Sequence, residues 1–192
     1  MKAITLLATL KTERESNTLS LCEFFKKHLA AHNVENEIIR LVDYNITPGT
    51  YSDMGNGDEW PVILEKILKA DIIIFATPVW WGGHSSQMQM VIERLDEIHD
   101  EILQGKKSKL EGKAGGIIVS GDSDGAQHII ANIANFYNAM GIALPPFASF
   151  TVLWEKFKKS ESPTEKEIKE KLEKEYAETA ETMARQLTKY AG

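Results

Sequence analysis

The segment Asp71-Ile72-Ile73-Ile74-Phe75-Ala76-Thr77 constrains the fold of this 192-residue chain more than any other. Its run of large apolar side chains leaves no polar face, so a strand built from it needs cover on both sides. That is the setting of a central parallel strand between two helical layers. The rest of the chain alternates in the same sense. Ala3–Leu10, Ile38–Val42 and Ala114–Ser120 read as further strands, and Ile142-Ala143-Leu144 is expected to enter the sheet before Pro145-Pro146 stops it. Between them lie helical stripes. Thr18–Ala30 aligns Leu21, Phe25 and Leu29, with Cys22 beside them. Asp58 can cap a helix with Pro61 in its first turn and Val62, Ile63, Ile67 and Leu68 turned inward. Gln87–Leu95 and Ala126–Met140 come next, the latter with Gly141 where a left-handed cap is wanted. Ser162-Pro163-Thr164-Glu165 reads as a capping box opening an amphipathic helix over 162–190. Strand and helix alternation over this length predicts an α/β fold: one domain spanning 1–192, a three-layer α/β/α sandwich with about five mostly parallel strands.

Composition narrows the function. With 43% hydrophobic and 26% charged residues the chain has the balance of a globular protein. Its net charge of −6 argues against a general nucleic-acid-binding surface. A single cysteine excludes an internal disulfide, a CxxC pair, a four-cysteine zinc site and a cysteine-ligated cluster built by one chain. The opening apolar stretch is too short to span a bilayer, which takes roughly 20 apolar residues, and the polar run from Lys11 succeeds it instead of a cleavage site. A cytoplasmic location without a membrane partner is the expectation. His28 and His32, Cys22, and Glu93-Arg94 read as surface or half-buried histidines, a buried thiol, and a local or interface ion pair. His84 and His128 are expected near a ligand pocket at the strand ends, without a metal or acid–base role.

Parallel α/β sheets take ligands outside the carboxyl ends of their strands, near the point where strand order reverses. Three turns fall there. The first, from Lys11 through Arg14, Ser16, Asn17 and Thr18, contains neither GxGxxG nor GxxxxGK[ST]. It offers small hydrogen-bonding side chains at a helix start, suited to a phosphate or to plain N-capping. The second, Pro78-Val79-Trp80-Trp81-Gly82-Gly83, has aromatic area beside glycines that permit close backbone approach; a flat aromatic ligand or a packing contact accounts for it. The third, Ser120-Gly121-Asp122-Ser123-Asp124-Gly125, is either an Asx-rich turn or a loop closing over a ring. Taken together they describe a phosphorylated flat cofactor.

With ESNT at 15–18, ATPVWWG at 76–82 and SGDSDGA at 120–126, residues 1 to about 144 resemble the flavodoxin-like NAD(P)H-dependent FMN reductases and quinone reductases, including the flavin domain of iron–sulfur flavoproteins. The resemblance implies a five-stranded parallel sheet of order 2-1-3-4-5. It implies FMN as cofactor, with Arg14, Ser16, Asn17 and Thr18 at the phosphate. Pro78, Val79, Trp80, Trp81 and Gly82 would lie against the isoalloxazine, and Ser120, Gly121, Asp122 and Gly125 near the ring. NADH or NADPH would give a hydride to flavin N5, and a quinone, flavin or other small acceptor would take the electrons. No protein side chain need serve as a catalytic group, and no metal is implied. The alternative is an electron carrier or a module that binds another phosphorylated ligand. A homodimer or higher homo-oligomer is also implied, with Tyr137, Phe147, Phe150 and Trp154 available either for that contact or for docking the C-terminal helix. Departures from the family pattern are Trp80 for the usual tyrosine, Gln89 for a lysine, Glu93-Arg94 for an aspartate–arginine pair, and no cluster cysteines around Asp43–Trp60.

Overall fold

A computed structural model describes residues 1–12, 16–121, 124–154 and 164–191. In chain order the elements are β1 (Lys2–Leu7), α1 (Asn17–Ala31), β2 (Glu35–Arg40), a short 3₁₀ turn (Leu41–Asp43), α2 (Trp60–Lys69), β3 (Ile72–Pro78), α3 (Ser86–Arg94), α4 (Asp96–Leu103), β4 (Ala114–Gly121), α5 (Ala126–Met140), β5 (Ser149–Leu153), α6 (Glu165–Glu175) and α7 (Ala177–Ala191). The strands form one parallel sheet of order β2-β1-β3-β4-β5. This is the three-layer α/β/α flavodoxin-like sandwich expected from the alternation and the resemblance. Strand order reverses between β1 and β3, which places the switch point at their carboxyl ends.

The isoleucine run of β3 explains the layering. Successive side chains of a strand point to opposite faces. Ile73 and Phe75 enter a core covered by α2, α3, α4 and α5, whereas Ile72, Ile74 and Ala76 enter one covered by α1, α6 and α7. At roughly 25 cal/mol per Å² of apolar surface removed from water, these two cores supply the main drive for folding.

Several local expectations are corrected. Ile142–Leu144 contributes only a bridge between Ala143 and Ala114. Pro145-Pro146 cannot donate to a ladder, so pairing with β4 resumes beyond them, in β5. In α2 the inward stripe is Trp60, Ile63, Leu64 and Ile67, at helical steps from a start at Trp60, which turns Val62 to solvent. The helix expected over 162–190 is two helices that part at Tyr176 (φ −128°, ψ 0°). The break lets α6 lie along α1 while α7 also reaches β3, β4 and β5. Thr164, not Ser162, caps α6, with a complete capping box to Glu167; Ser162 and Pro163 lie outside the described residues.

Of the aromatics considered for a subunit contact, Tyr137, Phe150 and Trp154 are buried within the chain and Phe147 alone is exposed. Gly115 makes room for Tyr137, because a Cβ there would stand 2.5 Å from its ring. Arg94 does not pair with Glu93. It crosses to Asp58 (2.6 Å), with both side chains fully buried. Asp58 also accepts from the N–H groups of Thr47, Met54 and Trp60, and so ties down the long β2–α2 connection. Burial disfavours its charge, but those three N–H donors and Arg94 outweigh burial and hold the carboxyl below its ordinary range. Cys22 is buried, and burial pushes its thiol pKa up, as expected of an inert thiol.

Candidate active site

All three turns singled out in the sequence meet at the carboxyl end of the sheet. Ala8 extends the β1–β3 ladder by donating to Ala76 O (2.8 Å). Beyond it, Arg40 at the end of β2 donates from Nη2 to Lys11 O (2.8 Å) and Thr12 O (3.1 Å), which fixes the approach to α1. Ser16 is the N-cap of α1, its Oγ accepting from Leu19 N (3.1 Å). That hydroxyl keeps its own hydrogen to donate, and the first-turn N–H groups of the helix lack intrahelical acceptors. Asn17 is half-buried beside it. The buried Thr18 hydroxyl lies 2.5 Å from that of Ser120, joining the first turn to the third. Arg14 lies outside the described residues.

In the second turn, Pro78 ends β3 opposite Ser120, and Val79 N donates to Ser120 O (2.7 Å). Trp80 and Gly83 then exchange backbone hydrogen bonds in both directions (2.8 and 2.9 Å) around Trp81 (φ 49°) and Gly82 (φ 78°). Two consecutive left-handed residues are the signature of a tight hairpin turn, which ordinarily takes Asn, Asp or Gly at the first position. A bulky residue there costs about 1–3 kcal/mol. The turn is anchored behind by Ser85, whose Oγ donates to Ala8 O (2.7 Å) and whose N–H donates to Thr77 Oγ1 (3.0 Å). In the third turn, Gly121 O accepts from Trp154 N (2.7 Å). Gly125 (φ 131°) sits against the second turn so closely that a Cβ on it would lie 2.6 Å from Gly82 Cα. Asp122 lies outside the described residues.

These turns enclose a cleft of about 730 Å³, within the size range of small-molecule sites. Ser16, Asn17 and Thr18 of the first turn line it together with Pro78, Val79, Trp80 and Trp81 of the second and Ser120 and Gly121 of the third. Trp80 is half exposed and the Trp81 indole wholly so. Although the chain is acidic, the described residues of this lining include one cation, Lys11, and no carboxylate. A smaller cleft of about 240 Å³ between α1 and α6 is lined by helix residues alone and reaches no strand end.

Sequence reasoning misses Thr9 and Leu10, takes Lys11 only as the start of the first turn, and leaves Trp154 between a subunit contact and docking of the C-terminal helix instead of in this lining. Phe150, Val152 and Trp154 at every second position are the sequence signal that brings Trp154 to the end of a strand. His84 and His128 do not line the cleft: the His84 ring faces Ser85 O (3.2 Å) and His128 is exposed on α5. Among the described residues no group of three His, Cys, Asp or Glu side chains is placed to hold a metal ion. None of the helices described is long and apolar enough to cross a membrane.

The family model for NADPH-dependent FMN reductase matches residues 1–153. The chain is 33% identical over 153 residues to a divalent metal cation transporter MntH of Mycobacterium bovis, covering 77% of this chain and 22% of that one. It is 30% identical over 159 residues to an 8-demethyl-8-aminoriboflavin-5'-phosphate synthase of Streptomyces davaonensis, covering 78% and 62%. The chain thus spans less than two thirds of the length of either curated relative. Among solved structures, RosB with a bound flavin intermediate superposes with a TM-score of 0.82 at 24% identity, over 100% of this chain and 79% of that one. An NADH:FMN oxidoreductase in its apo form superposes with a TM-score of 0.66 at 15% identity, over 99% and 88%. By the model that matches it from residue 1 to residue 153, the chain belongs to the NADPH-dependent FMN reductase family.

Proposed function

We propose that the protein is an FMN-dependent reductase whose cleft holds the phosphate at the start of α1 and the isoalloxazine between the second and third turns. When bound, FMN supplies the redox chemistry, taking a hydride at N5 from NADH or NADPH and passing electrons to a quinone, flavin or other small acceptor. The observation that carries this reading is the knot at the switch point. Thr18 touches Ser120, Ser85 ties the second turn to Ala8, and Gly125 seats on Gly82, so that three turns distant in sequence wall one cleft.

The residues present fit the group. Ser16, Asn17 and the first-turn N–H groups of α1 form a donor set for a dianionic phosphate, favoured further by the helix dipole. Lys11 adds a positive charge, Arg14 belongs to the same proposed set, and Asp122 is proposed with Ser120 and Gly121 near the ring. Thr18 and Ser120 act by holding the first turn against the third. Pro78, Val79 and Trp80 offer apolar surface to a flat ring, while the backbone of Trp81, Gly82 and Gly121 offers polar groups at its edge. Gly125, lacking a side chain, lets the second turn come down onto the site. No carboxylate among the described lining residues opposes the approach of a dinucleotide. The acceptor and the assembly state, a homodimer in this reading, belong to the proposal as well.

Rapid mixing of FMN-loaded protein with NADH and with NADPH tests it. Bleaching of the flavin band within the turnover time by at least one donor is the expected result. Bound flavin that neither donor reduces would contradict the reductase reading and favour an electron carrier.

A further inference from the structure

In the proposed flavin site the Trp81 backbone offers polar groups at the ring edge, and the role inferred for its side chain rests on that reading. Its backbone occupies the left-handed region at φ 49°, where a bulky residue is a rare outlier. The indole is fully exposed, so burial within the chain offsets none of that strain. The turn carrying it is also held rigid. Trp80 and Gly83 bond each other twice, Gly125 abuts Gly82 from below, and Ser85 fixes the exit of the loop to Ala8 and Thr77. Asn or Gly at position 81 would make the same turn with less strain and leave the same backbone groups at the cleft. A large flat ring instead stands in water on the rim of that cleft.

Strain that folding does not need, in a residue bordering a binding cleft, points to an intermolecular contact. We infer that the Trp81 indole is the stacking wall for the second planar ligand, the conjugated ring that enters the cleft against the bound cofactor and leaves again. Two sources share that chemistry: the nicotinamide of the electron donor and the ring of an aromatic acceptor such as a naphthoquinone. An aromatic on a firmly held backbone suits such a ligand because stacking tolerates different ring types and only two side-chain torsions remain to be ordered. Trp81 is thereby a specificity-determining residue, separate from the groups that retain FMN.

The test compares wild type with Trp81→Asn, which suits the turn, and Trp81→Phe, which keeps a ring. For each, FMN affinity is measured by flavin fluorescence, thermal midpoint by calorimetry, and assembly state by sedimentation. Binding of a naphthoquinone to the FMN-loaded protein is read by equilibrium dialysis, and KM is determined for that quinone and for NADH. Trp81→Asn is expected to keep FMN affinity within about threefold and the thermal midpoint at or above wild type, while quinone or NADH binding weakens by about tenfold. Trp81→Phe should recover much of the loss, and the arm that responds identifies the ring. Loss of FMN affinity without a change in quinone or NADH binding would make Trp81 a cofactor wall and overturn the inference. Unchanged binding of all three would overturn it too, as would a wild-type dimer that Trp81→Asn dissociates. Failure of wild type to bind FMN is seen before any second ligand is added and would end the flavin reading itself, and this inference with it.

Discussion

The hydroxyls of Thr18 and Ser120 lie 2.5 Å apart, although 102 positions separate them in the chain. One belongs to the first turn of α1 and the other to the end of β4, so their contact fixes where the first turn meets the third. Both are buried, and neither can lose its partner without leaving a polar group in an apolar setting. Replacing Ser120 with alanine is expected to cost about 1 kcal/mol of stability, the usual net value of one such hydrogen bond. The same change should weaken FMN binding, because Thr18 no longer fixes the start of α1. Urea unfolding and flavin fluorescence titration of Ser120→Ala check the two effects separately.

Gly125 sets a second distance. Its φ of 131° lies where side chains are strained, and the missing Cβ would fall 2.6 Å from Gly82 Cα. Gly125→Ala must therefore push the Trp80–Gly83 turn away from the third turn. The expected cost is about 1–3 kcal/mol of stability from overpacking, and FMN affinity should fall at least about tenfold, equivalent to 1.4 kcal/mol. Retention of wild-type affinity in a folded Gly125→Ala protein would mean that the ring does not lie between these turns.

The Asp58–Arg94 pair makes a prediction about pH. The folded pKa of Asp58 is depressed, so its stabilising effect is complete above the ordinary carboxylate range and is lost as pH falls through the lower folded value. Asp58→Asn leaves Arg94 buried without its counter-charge, and a loss of about 3–5 kcal/mol is expected at neutral pH. Wild type should lose part of that advantage on acidification below about pH 4, narrowing the gap between the two proteins. Thermal unfolding of both across that range reads the difference.

A weaker electrostatic contact docks the C-terminal layer. Glu181 on α7 meets His28 (3.4 Å) on α1 and His32 (2.7 Å) at its C-cap. The His32 hydrogen bond is the main cause of its lowered pKa; desolvation opposes it, and the weaker His28 hydrogen bond adds to the lowering. The contribution of Glu181 is present above the ordinary glutamate range and is lost on acidification through its lower folded value. Since the side chain is about half exposed, solvent screening limits Glu181→Gln to a loss of under ~1 kcal/mol. Hydrogen exchange should show that loss first as faster opening of α7.

The central sheet and the three turns were legible in the sequence because their signals are local. The uninterrupted apolar run of β3, the Pro-Val-Trp-Trp-Gly-Gly composition and the glycine-rich end of β4 each announce their environment within a few residues. Trp154 was not, because β5 is a short edge strand whose pairing begins only after a proline pair has broken it from Ile142–Leu144. Asp58 and Arg94 were not, since a buried ion pair 36 positions apart leaves no periodic trace. Arg40 lies in a predicted strand; its service to the carbonyls of Lys11 and Thr12 depends on β2 lying next to β1. The division at Tyr176 is hidden because Ile168, Leu172, Tyr176 and Ala180 keep helical spacing across it, while its backbone departs from helical angles where its ring meets Phe150 edge-on at 5.6 Å.

Parallel fluorescence titration of the protein with FMN and with riboflavin bears most directly on the claim that one cleft takes phosphate at α1 and ring at the other two turns. FMN should bind with quenching, and riboflavin at least about tenfold more weakly, because only the phosphate engages the helix start with charge-assisted hydrogen bonds. Equal affinity for the two flavins, or binding of neither, would contradict the account.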